Sequence, residues 1–407
     1  MRRTSKRDIR LKFHVRYRRA SKSQKGHILD EFCALCGYHR KYAISLLRRP
    51  ASCPPKLHRR RGKTYGKAVS DVLARIWAVA GYPWSVRLKA LLPLWLPWAQ
   101  KRKDIAAGVV SQVLQMSPRT MDRVLAPYKR DIVRRRFGRT KPGTLLKHQV
   151  PIRTDHAGVS QPGEVEVDLV AHGGDNGFGD FLHSVNLTDV HSMWTETRAV
   201  LGKAQVHVCR AIDEMRLALP FSLRSLHSDN GGEFINAHLV RYCRRHAIAF
   251  TRARPYKKND NAHIEQKNWT HVRRLLGWQR LDSAAILQVV NSLYRNELRL
   301  WMNFFQPTVK LISKQRVGAK IVRRYDAAQT PLDRLLVTSS VAPQLKQELR
   351  NQRAALDPFL LAAQIEVKLA KIKRLALNQP GRKPHKHGYM KDINFGRTPA
   401  QQAAITA

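Results

Sequence analysis

The most regular hydrophobic pattern in the chain lies at its middle. In Glu164-Val165-Glu166-Val167-Asp168-Leu169-Val170, polar and apolar residues alternate with the period of two expected of a strand. Strand-like runs follow at 181–188 and 193–200, the first joined to the opening strand by the glycine-rich loop 172–180, too long for a tight hairpin turn. A helical pattern at 203–218 leads to a strand at 223–228, a helix at 233–246, a short strand at 248–251 and a helix that Glu265 opens and that runs to Leu276. This β-β-β-α-β-α-β-α order predicts an α/β layer with Asp168 in its central strand.

The flanks read differently. Residues 22–36 have Ile28, Leu29, Phe32 and Leu35 on one side, Gly37 breaks the helix, and a second helix is expected from Tyr38 to Leu47. That places Tyr38, His39, Arg40 and Lys41 in its first turn, where a helix-turn-helix reads base edges in the major groove. Residues 66–135 repeat the theme with more apolar weight, from Val72, Leu73, Ile76, Trp77 and Val79 to Leu88, Leu91, Leu92, Trp95 and Leu96, so the tryptophans here read as core. Ser117-Pro118 is a helix start, a capping hydroxyl followed by proline at the first helical position, and predicts a second recognition helix beginning at Arg119. Past the core, 282–305 reads as a helix, 308–340 as a small basic β-containing domain, and 341–377 as a helical stretch that Pro358 divides.

The expected domains are therefore 1–62 and 63–140, both helical and DNA-binding, a basic linker at 141–160, an α/β core at 161–281, the helix and β-containing region at 282–340, a helical segment at 341–378 and a polar basic tail at 379–407. Basic tracts join them. Arg59, Arg60 and Arg61 are expected to lie along phosphates, as is the stretch from Arg134 to Gly143. Gly62-Lys63-Thr64 is not a nucleotide-binding loop, because Leu57 stands where the first glycine is required, so no ATP site is expected.

Composition narrows the partner. With 75 Lys and Arg against 29 Asp and Glu, the formal charge is +46, which points to nucleic acid and to binding weakened by salt. A ribosomal or histone-like packaging role fits poorly with 407 residues, 8 Trp and 43% apolar content, which indicate folded domains. No apolar run reaches the roughly 18 residues of a membrane span and no leader pattern opens the chain, so a cytoplasmic protein is expected, at the nucleoid if bacterial. The five cysteines are scattered. Cys33 and Cys36 with His27 and His39 suggest zinc, but they fall on the helix 24–36, where both sulfurs are expected to pack as small apolar groups.

Three carboxylates carry the expected chemistry. Asp168 lies on the central strand, Asp229 follows the apolar Leu226-His227-Ser228, and Glu265 comes after 35 intervening residues. Two divalent ions held about 4 Å apart can activate the attacking oxygen and stabilise the leaving oxygen of an in-line displacement at phosphorus. Mg²⁺ or Mn²⁺ takes oxygen ligands, so Asp168 is expected to bridge both ions, with Asp229 and Glu265 each completing one shell. Asp175, Asp180 and Asp189 read as turn residues, and Glu233 as a helix-start carboxylate. Tyr256, Lys257, Lys258 and Asn259 are expected to form a loop that meets DNA, with Lys267 and Arg273 contacting it from the helix.

His227-Ser228-Asp229-Asn230-Gly231-Gly232-Glu233-Phe234, with Glu265 at its distance, resembles the retroviral-integrase-like superfamily of bacterial insertion-sequence transposases. The resemblance covers about residues 160–280. Gly37 to Ala43 and Asn303-Phe304-Phe305-Gln306-Pro307 resemble the flanks of one branch. It implies an Asp-Asp-Glu triad on a ribonuclease H-like core, binding of element ends, cleavage there, and joining of the freed 3′ hydroxyl to target DNA by a homo-oligomer on paired ends. Relatives often carry Lys or Arg two turns after the glutamate; here that position is Val272, among Lys267, His271, Arg273 and Arg274. Two other readings are a non-catalytic, domesticated DNA-binding derivative and a structure-selective nuclease of the same fold.

Overall fold

The computed structural model describes residues 3–49, 64–102, 105–129, 159–175, 177–229, 234, 236–252, 262–317 and 320–377. The chain divides into two compact units, Met1–Thr64 and Tyr65–Ala407.

The first unit is three helices, α1 (Arg3–Arg19), α2 (Lys22–Cys36) and α3 (Arg40–Arg48). Ser21 and Gln24 form a reciprocal capping box at the start of α2, and Gly37, at φ 66°, ends it in the left-handed conformation that glycine adopts without strain. Phe13, Tyr17, Ile28, Leu29, Phe32, Cys36, Ala43 and Leu47 form the core. Cys36 is buried and Cys33 packs against this core from its edge. The expected start of the last helix is corrected: α3 begins at Arg40, with His39 as its cap accepting from the Lys41 amide. Tyr38 precedes it, its ring against Phe32 and Tyr42.

The second unit opens with α4 (Lys67–Val79), α5 (Ser85–Arg102), α6 (Ala107–Gln115) and α7 (Pro118–Leu125), the last capped by Ser117 with Pro118 at its first position. The sheet follows: β1 (Glu164–Ala171), β2 (Leu182–Asp189) and β3 (Thr195–Leu201), then α8 (Gln205–Ala218), β4 (Ser225–Ser228), α9 (Ala237–Arg245) and β5 (Ala249–Arg252). Strand order is β3-β2-β1-β4-β5. The first three strands form an antiparallel meander, while β4 and β5 run parallel to β1 after the crossovers that parallel pairing requires. One face of the sheet is apolar: Val165, Val167, Val185 and Leu187 pack against Ile212, Met215 and Leu239 of α8 and α9. The other face is polar, with Glu166, Ser184, Asn186 and Thr188 all buried.

A long helix covers the polar face. It begins as α10 (Ala262–Lys267), passes through a π-helical stretch at Asn268–Arg273 and ends in α11 (Arg274–Leu276). It therefore starts three residues before Glu265 rather than at it. A second composite helix, α12 (Ala284–Leu293), a π-helical stretch Tyr294–Leu298 and α13 (Arg299–Phe305), precedes the hairpin β6 (Leu311–Val317) and β7 (Lys320–Tyr325). The described chain ends with α14 (Pro331–Val337), α15 (Pro343–Ala355) and α16 (Pro358–Leu377), divided as Pro358 required. One apolar core joins α4–α7 to α12, α13, α14 and α16, with Trp95 fully buried and edge-on to Trp301 and Phe359. Among the described residues no helix is long and apolar enough to cross a membrane.

The outer edge of β3 is closed by side chains. The amide of Asn303 donates to Thr195 O and accepts from Thr195 N, both at 2.9 Å. Asn291 does the same for Ala199, at 2.8 and 2.9 Å. An edge strand that would expose a row of backbone groups is thereby paired without another strand. Each buried backbone group left without its partner costs roughly 1–3 kcal/mol. Asn303→Ala is therefore expected to lower stability by about 3 kcal/mol, and by more than Asn291→Ala, because Asn303 is fully buried. Urea midpoints followed by circular dichroism check the ranking.

Candidate active site

The site starts from the pairing of β1 with β4. Val167 is level with Ser228 in a parallel register, so Asp168 and Asp229 follow as the next residues on neighbouring strands, spaced about 4.8 Å. Both are partly exposed. Asp229 follows the carboxyl end of β4, where ligands of open α/β sheets bind, while Asp168 lies within β1, which runs on to Ala171. Glu265 lies in α10, across the polar face, and its side chain is outside the described residues, as are Asn230 and Glu233.

Two contacts dock the helix of Glu265 on the strand of Asp168. Glu166, two residues before Asp168 and on the same face, is fully buried and accepts the Ile264 N–H at 2.8 Å. Asn268 donates its side-chain amide to Asp168 Oδ2 at 2.6 Å. The chain of bonds continues inward: Asn186 donates to Asn268 Oδ1 at 2.5 Å, and Thr197 donates to Asn186 Oδ1 at 2.8 Å. Asp168 Oδ1 accepts the Leu169 amide at 2.8 Å. Glu166, Asn186 and Asn268 were not singled out from the sequence, although the strand period puts Glu166 beside Asp168 and the helix period puts Asn268 beside Glu265.

His227 is buried, with Nδ1 hydrogen-bonded to Thr251 on β5. Asp189 is buried at the β2–β3 turn and accepts from Ser192 and Gly163; burial pushes its carboxyl above the usual range, against those bonds.

The expected DNA contacts fare unevenly. Lys267 is corrected: only 3% of it is exposed, and burial, reinforced by Arg87 and Arg334, lowers its amine to about 7. His271 lies in the same cationic cluster and is held well below its ordinary value, mainly by burial. A lysine so enclosed cannot meet DNA in this conformation. Lys267 falls on the buried face of the helix with Ile264 and His271, three and four residues away. The π-helical stretch begins just after it, and hydrogen bonds closed five residues back take about one more residue into each turn. The face therefore drifts. Val272, seven residues beyond Glu265, is fully buried, and Arg273 comes to the partly open side, its guanidinium 4.0 Å from the centroid of the Trp278 ring. Arg119 and Lys41 are exposed, whereas Arg40 forms an ion pair with Asp30. Arg59, Arg60, Arg61, Tyr256, Lys257 and Lys258 lie outside the described residues, as do the tract 134–143 and the tail 379–407. Among the described residues no group of three His, Cys, Asp or Glu is placed to hold a metal ion.

No known protein-family profile matches the chain. An uncharacterized protein, y4rM of Sinorhizobium fredii, is 38% identical over 324 residues, which span 78% of this chain and 91% of that protein. The chain belongs to the same family as y4rM. Among solved structures, the catalytic core of BIV integrase is similar, with 17% identity over 42% of this chain and 91% of that one, at a TM-score of 0.28. The HTLV-2 integrase catalytic core, solved in complex with magnesium, is 14% identical over 36% of this chain and 90% of that one, at a TM-score of 0.27. Overlaps this loose carry no argument about chemistry. The described chain combines helices with a mixed five-stranded sheet.

Beyond Asp168 the polar face continues as a buried chain in which Ser184 Oγ bonds Tyr294 Oη and His172 Nε2, each at 2.8 Å. Burial, with smaller help from Arg273 and His183, pushes His172 down to about 3. Below pH 6.5 the unfolded chain takes up a proton that the folded protein refuses until about pH 3, so stability falls as pH drops through that window. The slope is at most about 1.4 kcal/mol per pH unit. His172→Gln is expected to flatten it, seen as a smaller loss of the urea midpoint between pH 6.5 and pH 4.

Proposed function

We propose that this protein is a DNA transposase of the integrase type, which binds the ends of its element, cleaves there and joins the 3′ hydroxyl to target DNA. The observation that carries the reading is the parallel register that sets Val167 level with Ser228, each the residue before an aspartate, with the helix of Glu265 tied to β1 through Glu166 and Asn268. A formal charge of +46 fits the polyanionic substrate.

The donor set suits hard divalent cations. Carboxylates on two adjacent strands and one helix are the oxygen ligands that Mg²⁺ or Mn²⁺ takes while keeping sites for water and phosphate. Two such ions, when bound, supply the Lewis acidity that activates the attacking oxygen and stabilises the leaving one. The protein's own residues do the positioning. Asp168, Asp229 and Glu265 would hold the ions, with Asp168 as the shared ligand and Asp229 and Glu265 each completing one shell. Asn268 fixes the rotation of the Asp168 carboxylate through Oδ2, and Asn186 and Thr197 hold Asn268 in place. Glu166 anchors the start of the helix. A homo-oligomer on paired ends is the working form in this reading, with Arg119, Lys41 and Arg273 contributing to the DNA surface.

The test uses a labelled duplex from the DNA flanking the gene, a supercoiled target and Mg²⁺. Asp168→Asn, Asp229→Asn and Glu265→Gln are each expected to abolish cleavage and joining while leaving end binding in place. Asn268→Ala is expected to slow joining by about 10–100-fold, the usual cost of losing an orienting partner. A triad variant that joins at the wild-type rate removes that residue from the site. Cutting without joining in the wild type makes the protein a nuclease, and binding alone makes it a non-catalytic DNA-binding derivative.

A further inference from the structure

The outer edge of the sheet holds a cavity of about 190 Å³ between β3, α8 and α12. Its wall carries Arg198 from β3, His207, Arg210 and Glu214 from α8, and Arg295 from the π-helical stretch that follows α12. His207, Arg210 and Glu214 are spaced by three and four residues, so a single stripe of α8 faces the cavity. Three guanidiniums meet one carboxylate there, which leaves the wall positive by two charges. Glu196, 3.5 Å from Arg198, is matched by Arg299 at 2.5 Å and does not remove the surplus. The volume is far above the roughly 10–15 Å³ that a single water needs, so a polyatomic ion fits.

Arg198 is the buried member, 5% exposed. Opposite it on β2 stands Val185, which packs toward α8 with Ile212 and Met215. Residues opposite each other on paired strands share a face, so Arg198 lies on the α8 side of the sheet, whereas Asn186 and the bonds to Asp168 lie on the other. A guanidinium has five N–H donors. Arg198 donates from Nη1 to Thr197 O at 2.8 Å, and its Nε is buried without a hydrogen bond, 3.6 Å from Glu214 Oε2. Glu214 is bound to Arg295 instead, at 2.6 Å. Burial first, and then Arg295 and Arg299, lower the Arg198 pKa, which Glu196 and Glu214 offset only in part. Arg210 is exposed and has no ion-pair partner among the described residues. A buried cation short of negative partners is costly, and the space beside this one admits the missing charge.

We infer that this cavity binds a phosphate group, held by Arg198, Arg210 and Arg295, at a site separate from the three carboxylates. The inference goes beyond the proposed strand transfer and does not depend on it. Guanidinium forks match the oxygens of phosphate in geometry as well as charge. A phosphate monoester carries roughly 1.5–2 negative charges at neutral pH, close to the surplus of the wall. Glu214 acts as a positioning residue, because it holds Arg295 and faces Arg198 before any ligand arrives.

The test titrates the full-length protein with inorganic phosphate, a nucleoside 5′-monophosphate and a DNA duplex at fixed ionic strength, followed by calorimetry. Arg210→Gln and Arg295→Gln alter exposed residues of the cavity, and Arg241→Gln, at an exposed arginine of α9 outside it, removes the same charge as a control. Each cavity variant is expected to weaken phosphate binding about tenfold, the loss of one hydrogen bond to a charged group, while the control stays at the wild-type value. Arg210 has no ion pair to lose, and circular dichroism shows that each variant is folded. A parallel loss of duplex affinity, with a shallower salt dependence, identifies the group as part of a DNA backbone. A loss confined to phosphate and the mononucleotide identifies a free ligand. Wild-type protein that binds phosphate no better than chloride overturns the site, and so do folded cavity variants that match the control. A variant that changes the oligomeric state while keeping its phosphate affinity also overturns it and makes this edge a protein interface.

Discussion

A carboxylate with no exposed surface is costly unless polar groups meet it, and Glu166 is such a carboxylate. What meets one of its oxygens is the N–H of Ile264 at the start of the helix that carries Glu265. The first amides of a helix have no partner within it and carry its positive end. Helix start and buried carboxylate therefore satisfy each other, and the satisfaction has a geometry. Sliding the helix along the sheet breaks this bond and the one from Asn268 to Asp168 together. Glu265 is thus placed relative to Asp168 by a residue that need not touch substrate.

The sheet supports this by keeping its two faces chemically distinct. Valines and leucines of β1 and β2 face α8 and α9, while glutamate, serine, asparagine and threonine face the composite helices. A buried polar face holds only when its members are paired. Here the pairing runs from Asp168 through Asn268 and Asn186 to Thr197, and separately through His172, Ser184 and Tyr294. At the outer edge Asn291 and Asn303 stand in for a further strand. The polar side chains thus hold the helices to the sheet where apolar packing is thin.

The α/β core was legible because its strands alternate or are short apolar runs between helical patterns, and the strand at 164–171 fell where expected. Val167 and Ser228, each the residue before an aspartate, pair on the strands β1 and β4 expected from the sequence. Helix α1 was not anticipated, because Ile9, Phe13 and Tyr17 are spaced by four but diluted by basic residues. Asn291 and Asn303 were not legible because their partners lie about a hundred residues away. Lys267 was misplaced because its charge was read as exposure, although it shares the helical spacing of the buried Ile264 and His271.

The excess of cations has a structural consequence of its own. With 29 acidic side chains for 75 basic ones, most cations drawn into the fold cannot be matched by carboxylates, and backbone carbonyls take their place. Arg274 donates to Gly81, Arg87 to Pro307, Arg299 to Ala218 and Lys310 to His191, each bond spanning more than 80 residues. The first two tie the α4–α5 region to α11 and to the segment after α13, the third ties α13 to the end of α8, and the fourth ties the segment before β6 to the β2–β3 turn. A carbonyl partner satisfies the hydrogen bond and leaves the charge uncancelled; burial first, and then the neighbouring cations, lower Arg87 to about 10 and Lys267 to about 7. A fold stapled this way keeps a positive interior field beside the carboxylates of the site. Such a field draws a polyanion toward it.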